Sequence, residues 1–189
     1  MTINYRTGLA MAAGLMVMAV GAMSIHAAIT VPSTNVPKSI LDNATVTSTL
    51  NFTVNGTTTD VDVSNINIQH TWDGDVEISL SRPGGALVLI FGDCGQNDDN
   101  FNAVTISDEG TAPNCTADAA PFTGTLRGAP NGIVNPTVMT AFDGVASGGV
   151  WTMSIFDDAG GDTGTLSSWS IVADGPPPLP VELMKLEVK

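Results

Sequence analysis

Two acidic turns contain the residues of this chain that are most suited to chemistry. Their carboxylates are Asp73 and Asp75 in the first turn, and Asp157, Asp158 and Asp162 in the second. Carboxylates this close repel one another unless they point apart into water or share a cation, and the neighbouring glycines let the backbone bend for either arrangement. The residue types therefore favour either an oxygen-ligand cation site or turns that are capped by aspartate side chains without a metal.

Catalysis by the chain's own residues has little support. A Ser-His-Asp triad needs a nucleophile on a strained turn beside a histidine and an orienting acid, and no serine stands in such a context. His70 shares the face of a predicted strand with Ile66 and Ile68, which favours a hydrogen-bonded structural histidine. Paired carboxylates could hydrolyse glycosides, but in a chain this rich in aspartate turns they are more typical of turn residues. We therefore expect no catalytic residues.

The first 27 residues are typical of a secretory signal peptide. Arg6 provides the positive start, residues 8–23 are uncharged and apolar, and small residues follow before a predicted cleavage after Ala27. The apolar run is short for a membrane span, and no later segment approaches one. We expect a secreted protein, extracellular or periplasmic, with no membrane span in the mature chain; an N-terminal anchor is the alternative.

The mature chain is strongly acidic. Removal of residues 1–27 takes away Arg6 and no acidic residue, so 5 basic residues face 19 acidic ones and the net charge is −14. Phosphate binding needs a basic face, so nucleic acid is excluded as a partner. The remaining length of about 160 residues is enough for one domain with a real core.

Two cysteines, Cys94 and Cys115, lie in the mature part. In an oxidising compartment they are expected to form one disulfide, closing a loop of about 20 residues. A metal site built on the two thiolates is the weaker alternative. It would need two further ligands, and His70 is the only histidine after residue 27.

Short runs of alternating apolar and polar residues, separated by turn residues, predict an all-β fold of about eight strands, a sandwich or jelly roll. The most distinct unit is a predicted hairpin in which Trp151, Met153 and Ile155 precede the second acidic turn, while Trp169 and Ile171 follow it. Both tryptophans occupy alternating core positions, so we expect them to be buried.

Three further features complete the organisation. A change in the phase of the alternation near Ser64 and Asn65 predicts a β-bulge. Residues 28–38 are predicted as an extended lead-in, residues 39–174 as the domain, and residues 175–189 as a proline-rich tail. Trp72 adjoins the first acidic turn and is a possible binding surface.

Several motifs occur in an order that resembles the P domain, or Homo B domain, of kexin- and furin-type proprotein convertases and bacterial subtilisin-like secreted proteases. The resemblance extends from about residue 39 to residue 173. Its most specific parts are Ile68-Gln69-His70-Thr71, Gly74-Asp75-Val76, Ser81-Arg82-Pro83-Gly84-Gly85, Pro121-Phe122-Thr123-Gly124, Gly149-Val150-Trp151-Thr152 and Asp162-Thr163-Gly164-Thr165-Leu166 with Trp169.

The resemblance implies a β-sandwich of jelly-roll type that stabilises and tunes a subtilisin-like serine protease. Convertases often have an arginine before the Gly-Asp of the first turn, and here that residue is Asp73, which makes the turn better suited to a cation. If both motifs meet at one end of the sandwich, as their joint presence in the family suggests, they form an oxygen cage. Calcium fits such a cage best because it accepts six to eight oxygens in flexible geometry.

The sequence therefore predicts a secreted, non-catalytic P-domain module that is stabilised by Ca²⁺ and a disulfide. The mature chain is too short for a subtilisin-like domain beside it, so the expected action on a secreted protease is in trans. The alternative is a stand-alone surface, adhesion or carbohydrate-binding β-sandwich whose partner is cell-surface material. A hydrolase is the third hypothesis.

Overall fold

The computed structural model describes residues 28–97, 99–116 and 121–174, which form ten β-strands and three short 3₁₀ turns. The strands are β1 (Ala28–Pro32), β2 (Lys38–Ile40), β3 (Thr45–Phe52), β4 (Val61–His70), β5 (Val76–Ser81), β6 (Val88–Phe91), β7 (Phe101–Thr111), β8 (Phe122–Leu126), β9 (Gly149–Asp157) and β10 (Gly164–Asp174). Within these residues no helix is long and apolar enough to cross a membrane. The predicted signal peptide and the proline-rich tail lie outside the described residues.

The strands form two sheets. The six-stranded sheet has the order β1-β10-β4-β7-β8, with β2 also pairing with β10, and the four-stranded sheet has the order β3-β9-β5-β6. Neighbouring strands are antiparallel except β7 and β8, which are parallel. The predicted all-β sandwich is confirmed, with ten strands in place of about eight.

The core lies between the sheets and consists of the apolar residues that alternate along the strands. Trp151 and Trp169 are fully buried, as predicted from their alternating positions. Each indole also has a hydrogen-bond acceptor inside the core: Nε1 of Trp151 donates to the Ser147 carbonyl at 2.8 Å, and Nε1 of Trp169 donates to the Ser48 hydroxyl at 2.8 Å. Both rings are therefore buried without an unpaired polar atom.

The prediction of a hairpin around the second acidic turn is wrong. β9 pairs with β3 and β5 in one sheet, whereas β10 pairs with β4, β1 and β2 in the other. Residues 158–163 therefore cross from sheet to sheet, and residues 71–75 make a second crossing between β4 and β5. The alternation of apolar and polar residues shows only that one face of each strand is buried. Two strands have the same alternation whether they pair in one sheet or face each other across the core, so the pattern did not distinguish a hairpin from a crossing.

The predicted bulge is confirmed. The register between β4 and β7 shifts between Val63 and Ile66, and Asn65 adopts a φ of 51°. A similar irregularity at Ala103, with a φ of 51°, interrupts the alternation of β7. The predicted lead-in contributes β1, which pairs with β10 along its whole length.

The disulfide between Cys94 and Cys115 is present, as predicted. It links the segment after β6 to the segment after β7, beside a cluster of Phe91, Phe101 and Phe122 with ring centroids 5.1–5.6 Å apart. The two cysteines are separated by 21 residues, so the bond removes substantial freedom from the unfolded chain.

We expect the double substitution Cys94→Ala/Cys115→Ala to lower the free energy of unfolding by about 3 kcal/mol, because the unfolded chain regains that freedom. Urea denaturation of both proteins measures the difference. The parent protein in the presence of a reductant is the control and should match the double variant. A change below about 1 kcal/mol would mean that the loop is held by its other contacts.

Candidate metal centre

Both acidic turns lie at the same end of the sandwich, where the two crossings meet. Val76, the first residue of β5, is opposite Asp157, the last residue of β9, and Gly164 at the start of β10 is opposite His70 at the end of β4. The crossings are also joined directly, because the Asp158 backbone N–H donates to the Asp75 carbonyl at 3.0 Å. Four strand ends thus hold the two turns against each other.

Close packing at this end requires glycine at position 164. A Cβ there would collide with the Gln69 carbonyl oxygen and with the ring of His70. Because Gly164 has no side chain, β10 can start directly against the imidazole. The glycine thus allows the second crossing to end close to the histidine.

The side chains of His70 and Asp157 form a fully buried hydrogen-bonded pair between the sheets. Nε2 of His70 lies 3.2 Å from Oδ2 of Asp157, and neither side chain is exposed. The other ring nitrogen, Nδ1, is 2.9 Å from the Trp72 carbonyl oxygen and 3.3 Å from the Trp72 backbone nitrogen. The prediction of a hydrogen-bonded structural histidine is confirmed.

The second carboxylate oxygen of Asp157 has a different environment. Oδ1 is buried and has no hydrogen-bond partner among the described residues. Asp75, itself 9% exposed, lies nearby: its pKa is raised above the usual value by burial and, next, by the negative charges of Asp157, Asp158 and Asp162. A buried carboxylate oxygen without a partner is costly, and a cation is one way to satisfy it.

Three further carboxylates lie at the outer edge of this end. Glu77, Asp93 and Asp158 each have an oxygen within 4.8 Å of the others. Burial and the neighbouring charges of Asp158 and Asp93 raise the pKa of Glu77, and burial followed by the charges of Asp93 and Asp157 raises the pKa of Asp158. Hard cations such as calcium prefer groups of carboxylate oxygens of this kind.

Sequence reasoning missed Glu77 and Asp93. Glu77 was detectable, because the alternation of Val76, Ile78 and Leu80 places it on the outer face of β5, next to the first acidic turn. Asp93 follows β6 in a left-handed conformation with a φ of 52°, and no local pattern connects it with the second acidic turn, far along the chain. Of the predicted set, the structure thus places Asp158 in a carboxylate group with Glu77 and Asp93, whereas Asp75 and Asp157 interact with Asp158 through their charges.

The other two predicted ligands, Asp73 and Asp162, accept hydrogen bonds from distant parts of the chain. The buried Asp73 accepts the Asn100 backbone N–H at Oδ1, 2.9 Å away, and Asp162 accepts the Thr71 hydroxyl at Oδ1, 2.6 Å away. Both bonds are long-range: the first joins the first crossing to the residue before β7, and the second joins the two crossings to each other. Trp72, the predicted binding surface, is 42% exposed beside the first crossing.

A second acidic cluster lies at the opposite end of β4. Oxygens of Asp60, Asp62 and Glu109 lie within 4.8 Å of one another. The pKa of Asp62 is raised to about 6, mainly by burial; the Ser107 hydroxyl opposes the shift, and the charges of Asp60 and Glu109 add to it. No local pattern in the sequence indicates this cluster, because its members come from β4, the residue before it and the far end of β7.

These features define the class of the molecule: a two-sheet β-sandwich in which two acidic crossings meet over a buried histidine. Residues 123–173 match the model of the proprotein convertase P-domain family, a segment that contains β9, the second crossing and all of β10 except its last residue. The resemblance predicted from the sequence motifs is confirmed by this match. No curated protein sequence matches the chain.

Solved structures with a similar backbone include a serine protease of Aeromonas sobria, at 16% identity and a TM-score of 0.44, and the same protease in complex with a chaperone, at 16% identity and a TM-score of 0.45. Each similarity covers 80% of this chain and 28% of the other chain. This chain thus spans little more than a quarter of the length of those proteins.

We expect Asp62→Asn to stabilise the protein at pH 7 when a chelator is present. The pKa of Asp62 is about 6 in the folded state against an ordinary value of 3.8, so the folded state binds more protons between these values and stability falls as pH rises through that window. Removing the carboxylate should raise the free energy of unfolding at pH 7 by about 1 to 3 kcal/mol.

Urea denaturation at several pH values from about 3.5 to about 7, an interval that brackets both pKa values of Asp62, measures this effect. The control is Asp99→Asn, which removes one charge from an exposed side chain. If Asp62→Asn leaves the slope of stability against pH unchanged, burial does not penalise this carboxylate.

Proposed function

We propose that this chain is a secreted, non-catalytic P-domain module that stabilises or regulates a subtilisin-like serine protease in trans and is itself stabilised by calcium. The match of residues 123–173 to the proprotein convertase P-domain family is the observation that supports the protease association. The module would act by binding, since P domains accompany a catalytic domain and perform no chemistry themselves.

The environment of His70 supports the non-catalytic part of the proposal. Its ring is buried and both nitrogens already have partners, Asp157 on one side and Trp72 on the other. In the described part of the chain, no serine or threonine hydroxyl forms a hydrogen bond with either nitrogen. A triad needs that hydrogen bond to activate its nucleophile, so His70 is better suited to joining the sheets.

Calcium fits the carboxylates at the crossings. Asp157 Oδ1 offers a buried oxygen, Asp75 and Asp158 on the two crossings interact with the charge of Asp157, and Glu77 and Asp93 form a group with Asp158. None of the Lys and Arg residues in the described ranges forms an ion pair with these carboxylates. A flexible set of this kind, supplemented by turn carbonyls, suits calcium better than the strict octahedron of magnesium.

Calcium should raise the unfolding temperature, because the folded state alone presents this set of oxygens. At a hundredfold excess over the dissociation constant the gain is about 2.7 kcal/mol, which corresponds to about 5 to 10 °C for a chain of this size. Asp75→Asn, Asp157→Asn and Asp158→Asn should each abolish or strongly reduce the difference between calcium and chelator, measured by calorimetry.

Asp174→Asn is the matched control, because it removes one carboxylate at the far end of β10 and should keep the full calcium shift. An unfolding temperature that is the same with calcium and with chelator, or a calcium shift that all three variants retain, would contradict a site at the crossings. Loss of the shift in Asp174→Asn as well would indicate a general response of this acidic protein to ionic strength.

The protease association has its own test. We expect the purified protein to slow the thermal inactivation of a subtilisin-like protease domain from the same organism, because binding the folded enzyme stabilises it by mass action. The residual peptidase activity after heating is the readout, with an unrelated protein of similar acidity as control. An inactivation rate that stays the same at saturating concentrations of the chain would rule out this role, whatever calcium does.

A further inference from the structure

A polar groove crosses the outer face of the six-stranded sheet. It consists of two adjoining concavities, with volumes of about 280 and 260 Å³, that share Gln69 at the centre. Strands β4 and β10 and the beginning of β7 form its floor and walls. His70 is among the residues that line the first concavity, whereas the carboxylates Asp75, Asp157 and Asp158 at the crossings do not line the groove.

The groove is lined by neutral hydrogen-bonding side chains. Gln69, Asn102, Thr163, Thr165 and Ser167 lie along it, and within the described residues none of these side chains has a hydrogen-bond partner. Amides and hydroxyls both donate and accept. A ligand with many hydroxyl groups could therefore satisfy several of them at once, whichever way each hydroxyl turns.

The strands hold this lining in fixed positions. Gln69 is directly opposite Thr165, and a register irregularity between Leu166 and Ser168 displaces Ser167. The Asn67 side chain joins three strands, because its amide donates to the Ser168 hydroxyl at 2.8 Å and its oxygen accepts the Ala103 N–H at 2.9 Å. A ligand would thus meet a preformed surface and lose little free energy in ordering it.

The charge and polarity of the residues along the groove restrict the class of ligand that it can bind. The chain has a net charge of −13. Among the described residues, however, Asp99 is the only acidic residue along the groove, and no Lys or Arg lies there. An anion would find no cationic partner. The apolar residues of the groove, Ile68 and Phe101, are both 1% exposed, so it offers no contact for an apolar ligand.

We propose that this groove binds a short neutral oligosaccharide. Its hydroxyl groups would exchange hydrogen bonds with Gln69 and Thr165 at the centre and with Asn102, Thr163 and Ser167 along the two concavities. The proposal does not depend on the calcium site or on a protease partner. It gives the sandwich a glycan-binding face in addition to its proposed protease association.

Nuclear magnetic resonance of the ¹⁵N-labelled protein tests this directly. The probes are maltotriose, cellotriose, mannotriose and triacetylchitotriose, each added to about 10 mM, because a groove without an exposed aromatic platform should bind with a dissociation constant of about 1 mM. At least one probe should shift the backbone amides of Gln69 and Thr165 saturably. The absence of such shifts with all four probes would overturn the proposal, as would shifts confined to the Trp72 region.

The double variant Gln69→Ala/Thr165→Ala should weaken the binding of that probe at least about tenfold, because two hydrogen-bonding groups are lost. The matched control is Asn51→Ala/Thr47→Ala on β3 of the other sheet; both are exposed and have no side-chain hydrogen bond among the described residues. The control should bind like the parent protein. Unchanged binding by the first variant, or equal loss in both, would place the ligand elsewhere and contradict the proposal.

Discussion

The buried hydrogen bond between His70 and Asp157 is the interaction on which this end of the sandwich depends. It connects the last residue of β4 to the last residue of β9 and thereby joins the two sheets. Burying two polar side chains is favourable only when their remaining polar atoms are also satisfied. The histidine meets this condition through Trp72, but Asp157 keeps one buried oxygen without a partner in the described chain.

The Asp157 oxygen without a partner makes the neighbouring carboxylates candidates for ligands of a shared cation. Asp75 and Asp158 sit on the two crossings that enclose the pair, and their pKa values are raised, first by burial and then by neighbouring negative charge. Without a cation, their charges repel one another and oppose the close approach of the crossings. With one, the same charges would become ligands and hold both crossings to the sheets. A proposed calcium ion would therefore act chiefly as a structural link.

Much of the fold was predictable, because one-sided burial produces the period-two pattern directly. It identified the buried Trp151 and Trp169, and its change of phase at Asn65 identified the bulge. The pattern does not state which strands pair, so the segments around the second acidic turn were predicted as a hairpin and are in fact a crossing between sheets. Of the candidate site, only the aspartates within each turn were predictable. Glu77 and Asp93 come close to Asp158 through strand pairing, which the local sequence does not encode.

The most direct test of this account is a crystal structure of the protein grown with calcium, with the ion located by its anomalous scattering. We predict a calcium ion about 2.3 to 2.6 Å from Oδ1 of Asp157, with Asp75 or Asp158 as a further ligand. An ion bound only at Asp60, Asp62 and Glu109, or a crossing end that holds only water beside Asp157, would contradict it.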